Sequence, residues 1–157
     1  MTGRIPLSQG HVALVNDADV PAVLALGKWQ LNRCDGRLYA GHATNRANIR
    51  LHTFLTGWPL VDHINGDGLD NRRVNLRPAT GSQNGANISP PSHNTSGYKG
   101  VALYKRTGRW RACITVDRKH IHLGYYDTAE EAVAAYDAAA INAWGEYARP
   151  NLLKETA

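Results

Sequence analysis

Cysteine is scarce in this chain of 157 residues: Cys34 and Cys113 stand far apart, and no CxxC pair occurs. That excludes a zinc knuckle or ribbon and any disulfide framework, and it suits a reducing cytoplasm. No apolar run approaches the roughly 20 residues that cross a bilayer. The opening MTGRIPLSQGHVALV has no basic segment followed by a signal-like apolar core, so a soluble, cytoplasmic protein is expected. There is no repeat of fixed period and no heptad pattern, which removes solenoids and coiled-coil dimers and leaves a monomer as the expectation. A hydrophobic fraction of 43% with 20% charged residues excludes wholesale disorder. The net charge of +5 and pI near 9.4 favour a polyanionic partner without proving one.

Three segments separate along the chain. Residues 5–57 read as strand, helix, strand, strand: HVALVN (11–16) is strand-like, and Asp17 or Asp19 could cap a helix over 18–27 that ends at Gly27. KWQLNRC and RLYAGHA flank Asp35-Gly36, a strong hairpin signal. Residues 58–88 are poor in apolar side chains, so if ordered they need hydrogen bonds, a metal or a neighbour. SPPSHNTSG (89–97) reads as a linker.

The third segment, 98–151, has strand-like runs at 99–104, 109–116 and 119–125, then a helix over 128–144 opened by a Thr128/Glu131 capping box and stopped by Gly145. Ala129, Ala132, Val133, Tyr136, Ala140 and Ala143 form its small apolar face. Residues 98–125 carry seven Lys/Arg against Asp117 alone, whereas 126–149 carry five acids against Arg149. The sheet is basic and the helix acidic, a polarised pattern rather than a mixed soluble surface.

Hydrolysing a phosphodiester requires a water, a base to deprotonate it and a cation to hold the phosphate. The string VDHINGDGLDNRRVNLRPATGSQNGAN, residues 61–87, offers such groups. The Asp62 carboxylate suits Mg²⁺ or Mn²⁺, and the His63 imidazole suits a base near neutral pH. Asn84, on a short helix that Thr80 and Gln83 can start, offers an amide oxygen. The run DHINGDGLDNRRVNL followed by SQN resembles the HNH motif of phage and intron homing endonucleases in its His-Asn-Asn form: His63, Asn75 and Asn84, at spacings of twelve and nine. The resemblance covers most of residues 5–88, including IPLSQGHVALV, KWQL and LHTFL. It implies a hairpin and helix around one metal ion, with Asp62 and Asn84 as ligands, His63 as general base and Asn75 pinning the loop that orients His63. Asn65 and Asn71 read as loop-formers, and His11, His42 and His52 as packing residues. Arg72, Arg73 and Arg77 are either phosphate contacts or solvated loop charges.

The C-terminal segment is similar to the plant ethylene-response-factor (Apetala-two) DNA-binding domain. YKGV, the RW pair, LGYYDTAEEAVAAYDAAA and the closing G–A–N carry that likeness over residues 98–151. It implies a sheet in the major groove. Strand alternation independently places Trp110, Ala112, Ile114, Ile121 and Leu123 against the helix. Trp110 and Trp144 read as core. The DNA face then comprises Lys99, Tyr104, Arg106, Arg109, Arg111, Thr115, His120 and His122, with no exposed aromatic pair for base stacking. Ala102 and Tyr104 stand where the plant domains have arginines, and His122 where they have tryptophan, so the plant target does not transfer.

The expected fold class is α+β. A mixed αβ segment (1–57) precedes a ββα-metal HNH module (58–88), and the linker (89–97) leads to a three-stranded antiparallel sheet on one helix (98–151) and a tail (152–157). The expected function is Mg²⁺- or Mn²⁺-dependent nicking of double-stranded DNA, in a bacterial host if phage-encoded, with no small-molecule cofactor. The alternative is a DNA-binding regulator with an inactive HNH remnant; an RNA-binding or structural role is weaker.

Overall fold

The computed structural model describes residues 1–44, 47–90 and 94–152. The chain divides into two compact units, Met1–Thr80 and Gly81–Ala157, so the helix bearing Asn84 groups with the C-terminal segment.

In the first unit, β1 (Thr2–Pro6) pairs antiparallel with β2 (Val12–Asn16). Alternation in both strands turns Ile5, Ala13 and Val15 inward, onto Val23, Trp29, Leu31, Ala40, Leu51 and Leu55. The helix expected over 18–27 is shorter: a 3₁₀ turn at Asp17–Asp19 leads into α1 (Val20–Ala25). Asp19 does not cap it, because its carboxylate pairs instead with Arg73 at 2.8 Å. A three-stranded antiparallel sheet follows, β3 (Gln30–Cys34), β4 (Arg37–Ala43) and β5 (Asn48–Arg50). Asp35 and Gly36 turn the β3–β4 hairpin with φ of 49° and 77°, the sign that a tight hairpin turn needs. The strands β1 and β5 and the helix α2 (Leu51–Thr56) were not foreseen. Each is too short to show a period.

The apolar-poor stretch is ordered by hydrogen bonds rather than by a core. Strand β6 (Val61–His63) pairs with β7 (Leu76–Pro78), and the loop between them docks on β2 through Leu14 N–H to Leu69 O (2.8 Å) and Asn71 N–H to Leu14 O (2.7 Å).

The second unit begins with α3 (Gly81–Ala86), which carries Asn84. The antiparallel sheet β8 (Val101–Tyr104), β9 (Arg109–Val116) and β10 (Lys119–Tyr126) has β9 at its centre. Helix α4 (Ala129–Trp144) covers one face, and Ala112, Ile114 and Val101 pack on Ala132, Val133, Tyr136 and Ala140. The Thr128/Glu131 capping box is present, and Gly145 ends the helix. Trp110 and Trp144 border this core, but Ala143 is exposed, as is Ile121 (44%) near the far end of the edge strand β10. Part of the expected linker belongs to the unit. The Asn94 side chain accepts from Ser96 and Gly97 N–H, and the Ser96 hydroxyl donates to Val101 O. Residues 91–93 of that linker and 153–157 of the tail lie outside the described residues. At the C-terminal end, Asn151 links the Lys99 backbone to Asp137, a buried carboxylate on α4 that also accepts from Leu152 N–H. No helix among the described residues is long and apolar enough to cross a membrane.

Candidate functional site

On β6, Asp62 and His63 face opposite ways and both are buried. Asp62 stands across from Arg77, whose Nε and terminal nitrogen donate to Oδ2 at 2.8 and 2.7 Å. His63 packs edge-on against His52, with ring centroids 5.1 Å apart, and tilted against Tyr39 at 6.1 Å. Its Nε2 lies 3.3 Å from Asn71 Oδ1. An amide oxygen only accepts, so Nε2 carries the proton and Nδ1 is the basic nitrogen. The Asn71 orientation is consistent with its other end, where Nδ2 donates to Gly68 O. Burial pushes the His63 pKa below its ordinary value despite the opposing pull of Asn71, Asp62, Asp67 and Asp70. The imidazole is therefore neutral at pH 7, the state a general base requires.

Asn75 pins the loop. Its amide donates to Asn65 Oδ1 and Asp70 O, and its oxygen accepts from Asn65 N–H. Asn71, which sequence reasoning left as a loop-former, reaches His63 with its side-chain oxygen. Nothing in the spacing separates it from Asn65. It is fully buried, and only the fold turns it inward. The loop arginines are each paired within the unit: Arg72 with Asp70, Arg73 with Asp19, Arg77 with Asp62. The Arg72 guanidinium holds the Asp70 carboxyl below its usual range.

His52 Nδ1 is buried without a hydrogen-bond partner. Burial, His63 and Arg50 together push its pKa down to about 3. An unfolded histidine titrates near 6.5 and binds a proton that folded His52 refuses. Stability from this group is thus complete above pH 6.5 and is lost as pH falls toward 3, at a slope approaching about 1.4 kcal/mol per pH unit; depressed His63 acts in the same direction. Urea unfolding of the first unit is expected to shift to lower midpoint between pH 7.5 and 5. His52→Phe should flatten that dependence, and an unchanged slope would refute the assignment.

As an oxygen donor Asp62 suits a hard cation in kind, although Arg77 already occupies one of its oxygens. The other expected ligand, Asn84, lies on α3 of the second unit. Among the described residues no three of His, Cys, Asp and Glu gather as a metal cluster.

In the second unit the face of the sheet away from α4 holds Ala102, Tyr104, Arg109, Arg111, Cys113, Thr115, His120 and His122, as alternation requires. Thr115 Oγ1 meets His120 Nδ1 at 3.3 Å, and Cys113 Sγ meets His122 Nδ1 at 3.6 Å. Arg106, in the β8–β9 turn, donates to the Tyr104 hydroxyl, and Arg109 pairs with exposed Asp127. Arg111 is exposed and has no ion pair among the described residues.

Two expectations fail here. Lys99 does not belong to this face. It is 7% exposed, its Nζ donates to Ala86 O and Arg149 O, and burial lowers its pKa to about 8. Second, the face does carry an aromatic pair. The register shifts between His122 and Gly124, so that Tyr125 stands opposite Arg111 instead of turning to the helix. Its ring lies 5.3 Å from Tyr104 and 4.8 Å from His122. A bulge is not written in alternation.

One comparison with known proteins is located within this second unit. The family model described as "AP2 domain" matches residues 96–146. Residues 96–146 are thus similar to an AP2 domain. "APETALA2-like protein 2" of Oryza sativa subsp. japonica is 49% identical over 51 residues, 32% of this chain and 12% of that protein. "Ethylene-responsive transcription factor WRI1" of Arabidopsis thaliana is 47% identical over 62 residues, 38% of this chain and 14% of its own length. "Protein 3.8" of Escherichia phage T7 is 34% identical over 76 residues, 48% of this chain and 63% of that protein. The chain thus spans a small part of the plant proteins and under two thirds of the phage one. The AP2 match ends before Asn151, whose clamp on Asp137 nevertheless closes the domain.

Proposed function

We propose that this protein binds duplex DNA through the exposed face of its AP2 sheet and acts at the sites where it binds. The observation that carries the reading is the contrast between the two sides of that sheet. One side is an apolar seat for α4, and the other presents exposed Arg106, Arg111, His120 and His122, with Arg111 unpaired by any acid among the described residues. The arginines on a sheet that fits a groove provide the phosphate contacts that dominate affinity. Relatives named as transcription factors favour a regulatory outcome of that binding. Titrating labelled duplex with the full chain over a range of salt tests it: affinity must fall steeply as salt rises, and binding indifferent to salt would reject this face.

A second reading rests on the first unit: that the protein also cuts the DNA it holds, as an HNH endonuclease nicking one strand. Its support is His63, held by Asn71 with Nε2 protonated and kept neutral by burial, and the buried Asp62 carboxylate next to it in the strand. Here His63 Nδ1 would take a proton from water, Asn71 would fix the tautomer, Asn75 would hold the loop and Arg77 would orient Asp62. A Mg²⁺ or Mn²⁺ ion at Asp62 would supply polarisation of the phosphodiester when bound. Supercoiled plasmid should pass to open circles before linear product appears. Equal cutting in EDTA would reject a metal site at Asp62, and no cutting with either metal leaves the regulator alone.

A further inference from the structure

At one end of the AP2 face, Tyr104, Tyr125 and His122 form an aromatic cluster above the central strand, beside the exposed methyl of Ala102. Basic residues surround it: Arg106, with its guanidinium 5.4 Å over the Tyr104 ring, Arg111 across from Tyr125, and exposed Arg109. The face therefore has an apolar centre in a cationic setting. Cations meet phosphates at the rims of a groove, and whatever lies between them meets its floor. On the floor of the major groove the bases present hydrogen-bonding atoms and one apolar group, the C5 methyl of thymine.

We infer that the Tyr104–Tyr125–His122 cluster is a thymine-methyl contact, so that this domain selects duplex sites with thymine at the position under Tyr125. The inference rests on the sheet being the DNA-binding face. Duplex rather than single-stranded DNA is the partner because the rings are already packed: Tyr104 lies against Tyr125 and beneath Arg106, and Tyr125 lies against His122. A base stacking on Tyr104 would have to displace the guanidinium that the tyrosine hydroxyl holds. A methyl touching the cluster from the groove displaces nothing.

Replacing thymine by deoxyuridine removes that methyl and leaves every hydrogen-bonding atom in place. The full chain is first used to select binders from randomised duplexes, and the selected duplex is then compared with its deoxyuridine copy. Wild type should bind the thymine form about fourfold more tightly for each methyl buried. Tyr125→Ala should abolish that ratio by weakening the thymine duplex to the level of its deoxyuridine copy, and Tyr125→Phe should keep the ratio. His122→Ala, on the same cluster, should reduce it and serves if Tyr125→Ala unfolds. Equal affinity for the two duplexes, a ratio that survives Tyr125→Ala, or preference for single strands would each overturn the inference. Loss of all salt-sensitive binding by the wild-type chain would instead remove the DNA-binding reading beneath it.

Discussion

Gly100→Ala is expected to destabilise the second unit by about 2–4 kcal/mol, a large fraction of the stability of a small domain. Gly100 has φ of +67°, and a Cβ there would lie 2.2 Å from the Tyr136 ring and 2.4 Å from the Cys113 carbonyl oxygen. Tyr136 is packed in the core and Cys113 O belongs to the central strand, so neither can retreat cheaply. Gly108 provides the internal control, with φ of +70° and nothing within 4 Å of its Cβ position. Gly108→Ala suffers only the backbone penalty, about 1 kcal/mol. Urea denaturation of the two variants separates steric cost from conformational cost, and equal losses would show that Gly100 is not clamped as described. DNA binding should follow stability, weakened in Gly100→Ala and nearly unchanged in Gly108→Ala.

The second large effect concerns His63. If the first unit cuts DNA, His63→Ala should slow plasmid nicking by about 10²–10⁴-fold, the usual contribution of a general base. DNA affinity should stay within about twofold, since a buried side chain offers the duplex no contact. Asn71→Ala should slow nicking less and displace its pH profile, because the amide that fixes the tautomer is gone while the imidazole remains. A His63→Ala chain that nicks at the wild-type rate would assign any cutting elsewhere and leave the regulator reading in possession.

The sequence showed most clearly what local physics decides. The capping box at Thr128, the alternation in β9 and the Asp35-Gly36 turn each depend on a few adjacent residues, and each is present. The failures share a different origin. Lys99 counts as a surface charge in any one-dimensional tally, yet two carbonyls distant in sequence draw its ammonium inward. Tyr125 joins the exposed face only because one bulge shifts the register. Asn71 and Asn75 are alike in sequence, and only the loop's docking on β2 decides which amide reaches His63. The pairing of Arg72, Arg73 and Arg77 with acids likewise became visible only when the chain closed. Asp62 and His63 themselves needed no fold to be noticed, since adjacent acid and imidazole in an Asn-rich loop are legible as letters.

The central claim is that the sheet face opposite α4 holds the DNA, and the salt dependence of Arg111→Ala tests it most directly. Arg111 is exposed, sits on the central strand and has no ion pair among the described residues, so its removal disturbs no internal partner. Affinity for duplex should fall roughly tenfold, and the slope of log affinity against log salt should become shallower by about 0.9, the signature of one lost phosphate contact. Affinity and slope both equal to those of the wild-type chain would contradict the account.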